Sequence, residues 1–505
     1  APTPSSAGST ATTSNTATPL RRHLLAGIRN QPFIRSSYQL RPQSRNPDSP
    51  EQRSQSPGTA GRRTLPPMTF SRHTSTVRLR LLAAVPLALL VSLASAADSD
   101  HWRGAARNDI SPESSGWNGS RWLNPKPTWS TGVGEGCGSP LVVGNRLYAL
   151  GWKSNQDTLW CLDASSGKVV WKQSYRSPRY GRHAVGDRSI YSGPSATPEF
   201  DPRTGRLFTM SIDGDLRCWD TRSQGRSLWH INLYQKYAAA RRPEVAKRRK
   251  TRRDYGYTSS PLLQGDTLVV EVGAKSGNLV GLDPKDGRQK WASQNRDEAG
   301  HSGSPVPMNV DGVPCAVVLT LRNVVVTRIA GPMAGRTVAT IPWTTHFANN
   351  IPTPAVQGQS LVVTTAYNHL EVARYDVKLG SAREVWKQPF ASGVCSPIIH
   401  EDRVYWAWKG VHCLDFATGE RLWHGGRVGS QGSCILTSDK RLIIWGNRGD
   451  LMLAETFGRS PKAYRELARV PGLTRADAWP HVVLSGRRLF VKDRYGKLLC
   501  LSLPD

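Results

Sequence analysis

A chain of 505 residues with 46 Gly and 17 Trp is long enough for several domains or one large repeat fold. Gly-rich turns and evenly placed Trp point to an all-β repeat architecture. The net charge of +29 would suggest nucleic acid if it were spread over the working surface, but it is concentrated in particular segments.

Residues 1–67 are rich in Ser, Thr, Pro, Arg and Gln, with few apolar residues and no period. Such a stretch buries too little surface to offset its chain entropy and reads as a disordered leader. Met68 is followed by Arg72, Arg78 and Arg80, an apolar run from Leu81 to Val91, and Ala94-Ser95-Ala96. A basic segment, a short apolar core and an A-x-A site read as a signal peptide over 68–96. The apolar core is well short of the ~20 residues a membrane span needs. Translation is therefore expected to start at Met68, with the mature chain beginning near Ala97, exported to the periplasm or the exterior. No lipobox Cys follows the signal, which argues against a lipid anchor. Residues 97–124 read as an N-terminal extension.

From Trp129 onward one pattern recurs. Ser-Pro and apolar residues come first, then a second strand, then a third ending Leu-Asp, then a Gly turn and a Trp. Blade one shows it as Ser139-Pro140-Leu141, Arg146-Leu147-Tyr148, Leu162-Asp163, Gly167 and Trp171. Blade three has Ser260-Pro261, Leu282-Asp283, Gly287 and Trp291, and blade six has Ser396-Pro397, Leu414-Asp415, Gly419 and Trp423. Looser copies begin at Thr197, Ser304, Thr353, Ser433 and Trp479, making eight. Alternating apolar residues predict strands with one face in and one out. The Asp side chains suit Asx turns, and the Gly residues supply the positive φ of a tight turn. A single four-stranded sheet leaves one face uncovered, so copies must stack radially. Trp129, Trp171, Trp229, Trp291, Trp343, Trp386 and Trp423 are expected to dock neighbouring sheets. The last copy ends without its Trp, whereas the segment leading to Trp129 ends a unit that has no beginning. The reading is an all-β, eight-bladed propeller of four-stranded antiparallel blades over 125–505, its ring closed by the N-terminal strand near Trp129.

The run Leu162-Asp163-Ala164-Ser165-Ser166-Gly167-Lys168-Val169-Val170-Trp171 resembles the tryptophan-docking motif of pyrroloquinoline-quinone (PQQ)-like propellers. Asp283 to Trp291 and Asp415 to Trp423 resemble it as well. That family holds quinoprotein alcohol dehydrogenases and the non-enzymatic outer-membrane assembly lipoprotein BamB, and this chain is similar to secreted PQQ-repeat proteins of planctomycete-type bacteria. The resemblance implies the fold and leaves the function open.

Eight Cys in an exported chain invite a disulfide framework. Cys161, Cys218, Cys413 and Cys500, however, take the same third-strand place in separate blades, too far apart to bridge. They read as small core residues, while Cys137, Cys395 and Cys434 lie near innermost strands. The resemblance implies that a quinoprotein dehydrogenase would need PQQ, a Ca²⁺ site and, in many members, adjacent Cys. No two Cys here are adjacent and no Cys-x-x-Cys-His is present, so no cofactor is expected, with PQQ and calcium as the alternative.

Loops leading into innermost strands bring Tyr257, His301, Asn349, Asn350, Asp477, Trp479 and His481 toward the channel, with Lys492, Asp493 and Arg494. Such a mixture suits a small polar ligand; the alternative is that these groups bond turns and strand ends. No spacing identifies a metal site or a catalytic residue. A basic insertion at 234–255 carries Arg241, Arg242, Lys247, Arg248, Arg249, Lys250, Arg252 and Arg253, eight positive charges over thirteen residues. It reads as a solvated loop or a polyanion-binding segment for lipid headgroups or wall polymers rather than nucleic acid. Three functions stay open. One is a non-enzymatic scaffold in the cell envelope, monomeric and binding a protein or anionic polymer. The others are a PQQ- and calcium-dependent dehydrogenase or its degenerate small-ligand-binding descendant, and a polyanion-binding module.

Overall fold

The computed structural model describes residues 98–183, 193–241, 256–300, 303–345, 349–367 and 370–504. The leader and the signal segment lie outside these residues. Among the described residues no helix is long and apolar enough to cross a membrane.

The chain forms eight four-stranded antiparallel sheets, each a meander running outward from the axis. Blades one to seven occupy 141–176, 199–232, 262–292, 306–342, 355–388, 398–425 and 432–470. Blade eight takes three strands from the C-terminus, Val483–Ser485, Arg488–Lys492 and Lys497–Ser502, and its outer strand, Trp129–Gly132, from the N-terminal side. That strand pairs Trp129 with Cys500 and Gly132 with Lys497, so it covers the edge of Lys497–Ser502 and gives blade eight the same four strands as the others.

Both faces of each sheet are buried because side chains alternate along a strand. In blade one, Leu147, Ala149 and Leu162 pack against Phe490 and Cys500 of blade eight. Their alternates Tyr148, Leu150, Leu159 and Cys161 pack against Phe200, Leu207 and Trp219 of blade two. A fully buried Leu contributes about 1.5–3 kcal/mol in such a seam.

The docking position has its own register. Cys161 faces Trp171, Cys218 faces Trp229, Cys413 faces Trp423 and Cys500 faces Trp129, small against large. In blades one, two and six a β-bulge follows one residue later. The ring then lies on the Gly of the next blade's turn. A Cβ on Gly167 would come within 2.6 Å of the Trp129 ring, one on Gly287 within 2.9 Å of Trp229, and one on Gly419 within 2.5 Å of Trp386. Gly225 takes Trp171 in the same way. These glycines also have φ between +69° and +74°, so the position demands Gly twice over. The indole N–H completes the dock, Trp129 donating to Ala164 O at 3.0 Å and Trp386 to Phe416 O at 2.9 Å. In the turn itself, Asp163 accepts from the backbone N–H groups of Ser165 and Ser166, and Asp415 from those of Ala417 and Thr418.

Trp343 departs from this pattern. Blade four places Ala339 opposite Val326, just before its bulge, and its outer strand ends at Pro342. Trp343 therefore stands beyond the docking position, buried in the seam with Leu361 and Val363 of blade five. Blade seven likewise has Ala468, opposite Leu453, where the others have Trp.

Candidate functional site

Around the axis the Ser/Thr-Pro steps form a girdle. The backbone N–H of Ser139 donates to Thr197 Oγ1 at 3.0 Å, Thr197 N–H to Ser260 Oγ at 2.9 Å, and Ser260 N–H to Ser304 Oγ at 2.8 Å. Ser304 N–H donates to Thr353 Oγ1 at 3.1 Å and Thr353 N–H to Ser396 Oγ at 3.0 Å. Blade eight donates in both directions, His481 N–H to Ser139 Oγ at 2.6 Å and Val482 N–H to Ser433 Oγ at 3.1 Å. Each hydroxyl thus gives a neighbouring blade's buried backbone N–H the acceptor it needs.

The N-terminal extension runs inside this girdle. Ser99 pairs with Val142 of blade one and Ile110 with Leu436 of blade seven as isolated bridges, and Asp100 O accepts from Phe200 N–H of blade two. Arg103 pairs with Asp109 and donates to the carbonyls of Pro354 and Pro397 in blades five and six. Arg107 grips the Glu199 carboxylate through two nitrogens and donates to Leu263 O of blade three. Glu113 accepts from the N–H groups of Gly486 and Arg487 of blade eight. Burial pushes the Glu199 carboxyl up, but Arg107 and His101 beside it prevail and its net shift is downward. The extension so satisfies polar groups that the inner strands leave unpaired.

On the side where the chain enters the innermost strands lies a cavity of about 640 Å³. Its lining includes Trp102 from the extension, Cys137, Trp408, Lys409, Asp477, Trp479 and His481, together with the girdle hydroxyls. Three of the sequence candidates, Asp477, Trp479 and His481, therefore meet here. Asp477 is held by Arg494 Nε at 2.8 Å. His481 Nε2 lies 3.2 Å from Asp109 Oδ1, its Nδ1 lies 2.9 Å from Val482 O, and Trp102 meets it edge-on at 5.2 Å. Lys492 stands behind the wall, fully buried, and donates to Gly138 O at 2.9 Å. Burial lowers its pKa to about 8, opposed by the nearby Cys137 and Asp493. Burial likewise pushes the Cys137 thiol up to about 11. Asp493 is raised by burial and accepts from the N–H groups of Tyr495 and Lys497. Arg494 also lies 4.4 Å from the Tyr495 ring.

The remaining candidates are elsewhere. Tyr257 is a core residue: Gly256, at φ +67°, turns the ring inward, where its hydroxyl donates to Val272 O at 2.8 Å and the ring meets Tyr234 at 4.9 Å. Asn349 and Asn350 are both buried outside the cavity wall, with Asn349 N–H donating to Thr345 Oγ1 and Asn350 Nδ2 to Thr320 O. His301 lies outside the described residues, as do Arg242, Lys247, Arg248, Arg249, Lys250, Arg252 and Arg253. Arg241 is exposed at the near end of that insertion, which opens with a short helix, Leu233–Tyr237, capped by Asn232. The sequence reading delimited the extension at 97–124 without giving it a role and missed the girdle; the recurrent Ser/Thr-Pro step was the signal for the latter.

PQQ with calcium would require cations for an anionic quinone and a cluster of oxygen donors for the metal. Among the described residues the cavity wall offers Lys409 as its Lys or Arg, while Asp477 is already paired with Arg494. No group of three or more His, Cys, Asp or Glu side chains among these residues suits a metal ion. The described lining does not fit that pair.

Residues 193–425 match the family described as outer membrane protein assembly factor BamB. Among solved structures, BamB from Moraxella catarrhalis is similar at 14% identity and a TM-score of 0.52, over 75% of this chain and 99% of that one. A europium-containing methanol dehydrogenase is similar at 12% identity and a TM-score of 0.38, over 71% of this chain and 90% of that one. Comparison with curated protein sequences finds no match. With the eight blades, the docking turns and the family match together, the chain is a β-propeller of PQQ-like repeats.

Proposed function

We propose that this propeller is a non-enzymatic scaffold, exported to the cell envelope, that presents its outer surface to a protein partner. The observation that carries the reading is the commitment of the axis to the fold. The girdle hydroxyls accept inter-blade N–H groups, His481 faces Asp109, and the extension lies within the channel. The match to a family described as an assembly factor supports the same reading. Val169, Val170 and Leu228 stand exposed near the start of the outer strands of neighbouring blades one and two, apolar groups suited to a partner surface.

The test uses the purified chain in two arms. Titration with PQQ and Ca²⁺, followed by melting temperature and visible absorbance, is expected to stay flat. Cross-linking in envelope extract is expected to give a discrete adduct that V169D and L228D abolish while melting temperature holds. A saturable rise in melting temperature with a bound-quinone spectrum would overturn the scaffold in favour of a dehydrogenase.

A further inference from the structure

The girdle is broken at one seam. Among the described contacts, no girdle hydroxyl accepts an N–H across the seam between blades six and seven, where Tyr405 Oη instead accepts from Phe457 N–H at 3.2 Å. Blade seven carries Ser433-Cys434 where most blades carry Ser/Thr-Pro, and blade six places Cys395 just before Ser396. The two sulfurs meet there, with Cys395 Sγ 3.6 Å from Cys434 Sγ. The other six cysteines make no such contact among the described residues, and all eight are free thiols.

We propose that Cys395 and Cys434 form a reversible disulfide that covalently joins blade six to blade seven. Several observations support it. Cys434 lies within the innermost strand of blade seven, Gly432–Leu436, and Cys395 lies three residues before that of blade six, Ile398–His400. Cys395 also lines the channel cavity, which gives a small reagent access to its sulfur. Ala407 N–H donates to Cys395 Sγ at 3.3 Å, which holds that sulfur at the seam. The Cys434 thiol is raised well above its ordinary range by its hydrogen bond with Cys395 and then by burial, so it retains its proton. Cys395, the one of the two that lines the cavity, is therefore the attacking sulfur and Cys434 the resolving one.

The chemistry is thiol–disulfide exchange with a low-molecular-weight disulfide as oxidant. The Cys395 thiolate attacks one sulfur of the reagent, breaking its S–S bond and releasing one thiolate. Cys434 then gives up its proton to that thiolate and attacks the mixed disulfide at Cys395. The Cys395–Cys434 bond forms and the second reagent thiolate leaves, taking a proton from solvent. Two protein thiols are oxidised and one reagent disulfide is reduced to two thiols.

The experiment treats the native full chain with 2-hydroxyethyl disulfide, quenches free thiols, and maps peptides without reduction. The expected result is one cross-linked species joining the peptides of Cys395 and Cys434. Thiols counted in denaturant should fall by two from eight, and dithiothreitol should restore them. C434S should convert the cross-link into a stable mixed disulfide on Cys395. The map of the parent chain stands alone if that variant fails to fold. Eight unreacted thiols, a persistent mixed disulfide in the parent, or a cross-link between other cysteines would overturn the proposal.

Discussion

Lys492 shows what one side chain costs this fold. It is fully buried beside the channel, its ammonium bonded to Gly138 O, and burial lowers its pKa from 10.5 to about 8. Between those two values the unfolded chain holds more protons than the folded one, so this group makes stability rise with pH across the window. Below about pH 8 the whole penalty is present. Replacing the group by an apolar chain of similar length removes that dependence. In K492M the gain in unfolding free energy over the parent is therefore expected to be largest near pH 7. It should shrink by about 3 kcal/mol by pH 10.5, measured by urea denaturation at each pH. A difference that does not change with pH would mean that Lys492 titrates normally in the fold.

At the scale of elements, the turn and the extension differ in how readily a sequence reveals them. The docking turn lies within one stretch of chain: Asp163, Gly167 and Trp171 follow one another, so its copies could be counted and the eight blades read directly. Strand register is not local, and this is why Trp343 was misplaced. Only the pairing of Val326 with Ala339 shows that blade four has Ala in the docking position. The extension has no period at all, and its partners lie far along the chain, 92 residues away for Arg107–Glu199 and 373 for Glu113–Gly486. Within the site, Asp477, Trp479 and His481 were legible because they immediately precede the inner strand of blade eight. Tyr257 occupies a comparable place before blade three, but the positive φ of Gly256 sends it into the core. The extension nevertheless bears on stability. R107A leaves the Glu199 carboxylate fully buried without its strongest partner, and breaking such a pair costs about 3–5 kcal/mol. The half-exposed Arg146–Asp163 pair gives the contrast, since R146A should cost less than about 1 kcal/mol. Urea midpoints measure both, and amide exchange in Glu199–Asp201 and Leu262–Gln264 should accelerate in R107A alone.

For the whole molecule, closure depends on one strand drawn from the other end of the chain. Every blade but the eighth is a continuous meander, whereas blade eight is completed by Trp129–Gly132 through backbone pairing and the Trp129 ring. That ring packs within the blade against Phe490 and across the seam onto Gly167, with its indole N–H bonded to Ala164 O. Trp129 therefore joins the chain ends and docks blade eight on blade one at once. Blades four and seven manage with Ala339 and Ala468 in the equivalent position, so a missing docking ring is tolerated where the meander is continuous. Truncating a buried Trp costs about 3–5 kcal/mol in general. W129A and W386A remove equivalent rings, but only the first loosens the closing strand. W129A is expected to lower the urea midpoint more than W386A and to expose Trp129–Gly132 and Lys497–Ser502 to amide exchange ahead of global unfolding. In W386A the corresponding strands of blade five should exchange only with the whole molecule. Equal midpoints with matching exchange would show that the closing strand is held by its backbone pairing alone, with the ring contributing no more at the closure than at any other seam.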